Sequence, residues 1–279
     1  MNVAIYAPRT NENMRGNRWA MTERGRNALQ RDPANLEIGQ SKLTWAGDSL
    51  KIDFDEWSFP IPGRVKGTVY VDLDATTDRV FALDAQRKHQ WWPIAPHARI
   101  RVALDTPSLD WHGSGYLDAN RGTEPLESAF QNWTWSRATI GDESFVLYDI
   151  TRRDRSRVAL ALQIDRDGQV GATELPETVA LPPTSIWRIP RATQSEGEAD
   201  VVRTFEDTPF YSRSQIRTRL LGQETQAMHE SLALSRLRSP IVKSLLPWRM
   251  PRAAWSVRHH GGETHSDPAE HGWRKTSAN

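Results

Sequence analysis

The chain has no cysteine among its 279 residues, which excludes disulfides and thiolate metal sites and fits a reducing compartment. It has no excess of charge. Lys and Arg total 36 against 35 Asp and Glu, a net charge of +1, which gives no electrostatic reason to expect nucleic acid as a partner. Long apolar runs are missing too. The longest candidate strands, around Phe145–Ile150 and Val158–Ile164, fall far below the roughly 20 residues of a membrane-spanning helix. No charged-then-apolar signal segment opens the chain. Phosphate-cradling glycine loops, dinucleotide fingerprints and nucleophile elbows are absent as well. These absences point to a soluble or peripheral protein with no recognisable cofactor motif.

What the chain does have is tryptophan, 12 residues of it, and period-two alternation. Leu50, Ile52 and Phe54 alternate with Lys51, Asp53 and Asp55; Val65, Val69 and Val71 with Lys66, Thr68 and Asp72. The same pattern runs through Ile100–Leu104 and Val158–Ile164. Turn signals at Gly47-Asp48, Gly141-Asp142 and Asp167-Gly168 punctuate it, so antiparallel hairpins closing into an all-β barrel or sandwich are expected. Residues 175–191 are proline-spaced and read as a linker or edge crossing, after which strands resume at Val201–Phe205 and Ser214–Leu221. One short C-terminal helix is expected at Glu224–Leu237, where Met228, Leu232 and Leu234 form an apolar stripe. Three regions result: a first β half at 1–174, a second β half with the helix at 175–238, and a basic, aromatic segment with a disordered tail at 239–279.

That last segment carries Arg236, Arg238, Lys243, Arg249, Arg252 and Arg258 among Ile241, Leu245, Trp248 and Trp255, and no acidic residue occurs from Ser231 to Gly262. Residues 236–258 therefore suit an anionic membrane surface, or pack on the β structure with their arginines solvated. His259, His260, His265 and His271 are spread through the tail, a poor pattern for a metal site, and no metal is expected.

Two pairs of residues carry candidate chemistry. In Trp111-His-Gly-Ser-Gly-Tyr-Leu-Asp-Ala-Asn-Arg-Gly122, alternation puts Tyr116, Asp118 and Asn120 on one strand face, and Trp133 and Trp135 share a face in the same way. An aspartate inside a Trp-lined β cavity is poorly solvated and its pKa rises, which makes it a proton donor. Alternatively, Asp118 is a turn residue satisfying its own backbone. His89 and Trp91 repeat the spacing: an imidazole able to hold a water, and an indole face able to stabilise a cation. Their plain alternative is a surface histidine beside a core tryptophan. Glu124 and Glu127 follow the Gly122 turn and are read as capping a short helix around Pro125–Phe130.

Several blocks together resemble the carotenoid 1,2-hydratase (hydroxyneurosporene synthase) family: Asn2-Val-Ala-Ile-Tyr6, Arg18-Trp-Ala-Met-Thr-Glu-Arg-Gly25, Pro60-Ile-Pro62, Gly113-Ser-Gly-Tyr-Leu-Asp118, Asn120-Arg-Gly122, Glu124-Pro-Leu126, Trp133-Thr-Trp-Ser-Arg137 and Leu246-Pro-Trp-Arg-Met-Pro-Arg252. The resemblance implies two AttH-like, lipocalin-related β halves side by side. It also implies cofactor-free addition of water to the terminal C1=C2 bond of an acyclic carotenoid such as neurosporene or lycopene, in bacterial carotenoid biosynthesis. The implied functional positions are His89, Trp91, Tyr116 and Asp118. Asp118 is then the acid, Trp91 and Tyr116 stabilise the cation, and His89 positions water or tunes Asp118. Trp111, Asn120, Trp133 and Trp135 are expected to bind the polyene. The implied partners are the carotenoid, water and the membrane, with the protein on the cytoplasmic side of the inner or photosynthetic membrane. Family members carry roughly a hundred further residues before the Asn2–Tyr6 block, about the size of a small domain, so the first half is expected to be N-terminally incomplete. A lipocalin-like carrier and a related cyclase or isomerase are the competing functions, with a carbohydrate binder behind them. A carrier has no use for a buried acid.

Overall fold

The computed structural model describes residues 1–6, 17–58 and 62–250. The tail histidines, Trp255, Arg252, Arg258 and part of the Pro60–Pro62 and Leu246–Arg252 blocks lie outside the described residues. Within them, β1 (Asn2–Ile5) and β2 (Arg18–Met21) pair as a small ribbon. A first sheet takes β3 (Leu29–Arg31), β4 (Asn35–Ile38), β5 (Ser41–Ala46), β6 (Ser49–Ser58), β7 (Gly63–Leu73), β8 (Phe81–Ala82), β9 (His89–Thr106) and β10 (Leu109–Gly122). Its order is β10-β9-β7-β6-β5-β4-β3, with β8 also on β9. After helix α1 (Leu126–Ala129) comes a second sheet, ordered β14-β13-β12-β11-β19-β18-β17. It contains β11 (Phe130–Ile140), β12 (Glu143–Arg152), β13 (Arg157–Ile164), β14 (Val170–Ala172), β17 (Asp200–Asp207), β18 (Tyr211–Leu220) and β19 (Gln223–Leu232). Strands β15 (Thr178–Leu181) and β16 (Arg191–Gln194) pair separately, and α2 (Leu234–Leu237) and α3 (Pro240–Arg249) follow. All the pairings are antiparallel, as the hairpin spacing predicts, so the chain is all-β with two side-by-side sheets and a short helical C-terminus.

Local chemistry explains the elements. Gly47, Gly141 and Gly168 all adopt positive φ at hairpin turns, where a Cβ would be strained. Strand β12 is buried on both faces, which is why Phe145-Val-Leu-Tyr148 reads as a continuous apolar run. Val146, Tyr148 and Ile150 join the cluster that meets the first sheet, whereas Phe145 and Leu147 join a cluster with Leu181 of β15. The ribbon β1–β2 covers the first sheet, where Ala20, Val3 and Ile5 meet Phe54, Val65, Val102 and Leu104.

Two expectations need correction. The stretch 224–237 is not one helix. Residues 223–232 form β19, and helix begins only at Leu234. Met228 and Leu232 are four apart, a spacing that suits both periods; what decides is the alternate burial of Ala227, His229 and Ser231. The division between the two sheets also falls at 123–129, not at 174. Strand β11 pairs with β19 across position 174, because the proline-spaced segment leaves the sheet as β15–β16 and the chain returns to the same sheet.

The Arg18–Gly25 block has a structural role. Glu56 is fully buried, and its carboxylate accepts hydrogen bonds from Thr22 Oγ1 (2.5 Å), Arg24 Nη2 (2.9 Å) and Ser41 Oγ (2.6 Å). This fastens the segment after β2 to β5 and β6. Removing one partner of a buried ion pair leaves the other uncompensated. Glu56→Ala is therefore expected to cost about 3–5 kcal/mol in urea unfolding, whereas Asp110→Ala, at an exposed position, should change stability by less than about 0.5 kcal/mol.

Candidate active site

The site is assembled where the far ends of β9 and β10 meet the second sheet. From Gly115 to Leu117 and again from Leu117 to Ala119, two steps along β10 match three along β9 (Ala98 to Ala95, then Ala95 to Trp92). Each extra β9 residue is a β-bulge, and the bulged stretches contain Pro96 and Pro93, which have no N–H to give to the ladder. The proline carbonyls are turned to other uses. Pro96 O accepts from Arg137 Nη2 (2.8 Å) and Ser144 Oγ (3.0 Å), both in the second sheet. Pro93 O accepts from Thr77 Oγ1 at 2.7 Å. Gly115 is required at this crossing, since a Cβ would stand 2.5 Å from Ile100 Cγ2.

Opposite the two bulges lie Tyr116 and Asp118. Trp91 Nε1 donates to Asp118 Oδ2 at 2.8 Å, and Tyr116 OH donates to the same oxygen at 3.3 Å. Both bonds fall on Oδ2, which leaves Oδ1 as the oxygen to carry a proton. Burial pushes the Asp118 carboxyl above its ordinary value. The nearby charge of Glu230 raises it further, while the Trp91 and Tyr116 bonds and the charge of Arg213 oppose the rise. Tyr116 is pushed well up, by burial first and then by the Asp118 charge, and so remains a neutral donor. The Arg137 guanidinium stands 5.0 Å from the Tyr116 ring centre. Burial lowers Arg137 from its ordinary value, and the charge of an ionised Tyr116 would oppose the fall.

Aromatic rings enclose the acid. Trp135 lies 5.5 Å from Tyr116, centroid to centroid, and Tyr148 lies 5.3 Å from Trp91. Trp133 packs on Phe130 and Tyr148 at 5.6 and 6.0 Å. The second sheet contributes a cross-strand row, each member directly opposite the next: Tyr148, Trp135, Glu230, Arg213 and Glu206. Directly opposed residues share a face, so this row turns from aromatic to ionic along its length. Arg213 Nε and Nη2 both donate to Glu230 Oε1, at 2.9 and 2.5 Å. Tyr6 OH donates to Glu206, and its ring packs on Phe205.

The structure brings together Asp118, Tyr116, Trp91, Trp133 and Trp135. It places His89 behind them: Nδ1 faces Asp84 Oδ2 at 3.1 Å and Nε2 faces the Glu124 carbonyl at 3.1 Å, so neither nitrogen is turned to Asp118. The imidazole is a strut holding the 123–129 connection against the first sheet, with its ring edge-on to Phe130. For Asp84, burial alone raises the carboxyl, but bonds from the His89 and Lys88 backbone and the His89 ring hold it below its ordinary value. Trp111 is not in the site. It is 42% exposed and an odd number of residues from Asp118, hence on the other face of β10. Asn120, directly opposite Trp91, is exposed. Sequence reasoning missed Tyr148, Arg137, Glu230 and Arg213; only the register of β12, β11, β19 and β18 brings them here. Two surface concavities, one lined by Leu175, Val179 and Glu196 and one by Gly141, Arg166 and Leu221, contain neither Asp118 nor Trp91. No cluster of three His, Asp or Glu able to hold a metal occurs among the described residues.

These features define a class: an all-β protein with a protonatable carboxyl buried among indoles and phenols between two sheets. Comparison with known proteins gives the family. The family model for carotenoid hydratase CrtC matches residues 1–258, and the chain belongs to that family. It is 50% identical over 254 residues to the acyclic carotenoid 1,2-hydratase of Thiocapsa roseopersicina, covering 90% of this chain and 61% of that protein. It is 41% identical over 240 residues to the protein of the same name in Rhodobacter capsulatus, covering 85% of each. The chain thus spans about three-fifths of the Thiocapsa protein's length. Among solved structures, an AttH-type protein of Nitrosomonas europaea matches with a TM-score of 0.49 at 12% identity, over 74% of this chain and 72% of that one.

A carboxyl whose folded pKa is raised stabilises the fold below its unfolded pKa, and that contribution is lost as pH rises through the folded value. Asp118→Asn, which cannot ionise, is therefore expected to melt higher than the wild type at pH 8 and to lose that advantage at pH 4. Differential scanning calorimetry at the two pH values checks the sign, with about 2 °C expected per kcal/mol.

Proposed function

We propose that this chain adds water across the terminal C1=C2 bond of an acyclic carotenoid, with Asp118 as the acid. The observation that carries the reading is the Asp118 carboxyl, raised by burial and held through Oδ2 by Trp91 and Tyr116. A proton from Oδ1 forms the new C–H bond at C2 and leaves a tertiary cation at C1. A water oxygen bonds to C1 and releases one proton, so the net change is the addition of one water. The rings of Trp91, Tyr148, Trp135 and Tyr116 pack around the Asp118 carboxyl, and a cation formed against a ring face gains roughly 0.5–2 kcal/mol per contact. His89, clamped between Asp84 and Glu124, acts by positioning the strand that carries Trp91. Trp133 supports the wall by packing against Tyr148. Family membership and the 41% identity to a hydratase covered over 85% of its length support the same chemistry.

The substrate dissolves in a bilayer, and α3 suits a bilayer surface. Ile241, Leu245 and Trp248, spaced at i, i+4 and i+7, are 73%, 37% and 68% exposed. Ile186 and Trp187 are also exposed, and their loop is tied to α2 by Arg236 Nη1, which donates to Trp187 O. No helix among the described residues is long and apolar enough to cross a membrane. We propose that the protein sits peripherally on the cytoplasmic face of the inner or photosynthetic membrane, a reading supported by the exposed apolar side chains of α3.

Incubation with lycopene or neurosporene in vesicles should give a product heavier by one water, and Asp118→Asn should lower its rate by at least about 100-fold, the lower range for loss of a general acid. The wild-type rate should decline as pH rises through the raised Asp118 value, because only the protonated acid donates. An Asp118→Asn variant that hydrates normally would remove Asp118 from the acid role. Separately, Ile241→Ser with Trp248→Ser should weaken binding to anionic vesicles by about tenfold or more, each buried side chain contributing roughly 1.5–3 kcal/mol. Unchanged sedimentation with vesicles would rule out α3 as the contact.

A further inference from the structure

The mechanism above gives Asp118 the first proton transfer and leaves the second unassigned. The water that captures the cation must lose a proton, and a carboxylate that has just donated is one candidate to take it. The row on β11, β19 and β18 holds another. Glu230 stands directly opposite Trp135 on one side and Arg213 on the other, and Trp135 packs on Tyr116, the partner of Asp118. Both Arg213 hydrogen bonds fall on Glu230 Oε1, so Oε2 is left clear of the guanidinium. The pair is partly open, with side-chain exposures of 20% for Glu230 and 33% for Arg213, which gives water a route to it. Trp135 Nε1, next to Glu230 in the row, is buried and makes no hydrogen bond to the protein. An indole N–H donor beside a carboxylate acceptor is what a single oriented water requires.

We propose that Glu230 is the general base of the reaction, taking a proton from the attacking water through Oε2 while Arg213 holds its carboxylate in place. This rests on the hydratase reading and completes it. Asp118 Oδ1 gives its proton to C2, and the alkene π pair becomes the C–H bond. The water oxygen forms the C1–O bond as its O–H pair stays on oxygen and the proton passes to Glu230. Proton exchange with solvent returns Asp118 to its acid form and Glu230 to its carboxylate. Nothing is oxidised or reduced. The row thus divides the labour, with Tyr148 and Trp135 facing the cation and Glu230 and Arg213 serving the water.

The test separates the two proton transfers. This chain, Glu230→Gln and Asp118→Asn are each incubated with lycopene in vesicles made up in D2O. Two quantities are read: alcohol formed, and deuterium at C2 of the recovered lycopene, which reports cations that formed and collapsed back. Glu230→Gln is expected to lower alcohol formation about 100-fold, in line with loss of a general base, while deuterium still enters C2. Glu230→Asp, which keeps a carboxylate, should recover part of the alcohol. Asp118→Asn should abolish both signals. Alcohol formation by Glu230→Gln within twofold of wild type overturns the proposal. So does a folded Glu230→Gln that loses deuterium entry along with the alcohol, because Glu230 would then be acting on the first transfer. Should the single variant fail to fold, Glu230→Gln with Arg213→Gln, which removes both halves of the ion pair, carries the same readout. If the unaltered chain gives neither signal, the hydratase reading itself fails, an outcome distinct from the others.

Discussion

The site depends on two missing hydrogen-bond donors. Pro93 and Pro96 cannot complete the β9–β10 ladder, so β9 bulges twice within a few residues of Trp91. A regular ladder would direct every backbone carbonyl of β9 along the sheet plane. With the bulges, Pro96 O points at the second sheet, where Arg137 and Ser144 bind it. That contact fixes how the two sheets meet. Arg137 in turn spans from Pro96 to the ring of Tyr116, so the same guanidinium that joins the sheets also sets the phenol that bonds Asp118.

Everything chemically distinctive about Asp118 follows from that junction. The carboxyl is removed from water by residues of both sheets, and its net pKa rises because desolvation exceeds the help it receives from two hydrogen bonds. Pairing Asp118 directly with an arginine would stabilise the carboxylate and lower its pKa, removing the proton it needs. The structure keeps the cation one step away. Arg213 is bonded to Glu230, and Arg137 is bonded to backbone and serine and stacked on a ring. Positive charge is present, yet neither guanidinium hydrogen-bonds the acid.

How much of this was legible in the sequence varies by the range of the interaction. Alternation located β6, β7, part of β9 and β13, strand-like sequence located β17 and β18, and the spacing of Tyr116 with Asp118 and of His89 with Trp91 marked residues two positions apart on one strand. The β19 strand was hidden because Met228 and Leu232 satisfy both periods and because its opposite face is built from Ala227, His229 and Ser231, a pattern with little apolar signal. His89 was legible as a position but not as a strut: its acceptors, Asp84 and the Glu124 carbonyl, come from two different loops. Trp111 was a parity error that the spacing itself could have corrected, since seven residues from Asp118 is an odd step. Glu230 and Arg213 were out of reach, because only the register of β11, β19 and β18 brings them, from far along the chain, into one row with Trp135.

The paired bulges also have an arithmetic consequence. Each extra residue in β9 reverses which face the following side chains take, so one bulge alone would turn Trp91 away from Asp118 and into the opposite core. Two reversals cancel, and Trp91 keeps the face that regular alternation from Val102 would have assigned it. Between Ala98 and Trp91 the chain can therefore gain or lose residues only in even numbers without inverting the site. The length of this segment is thus held to a fixed parity, as the identities of Pro93, Pro96 and Trp91 are held by the ladder and the site.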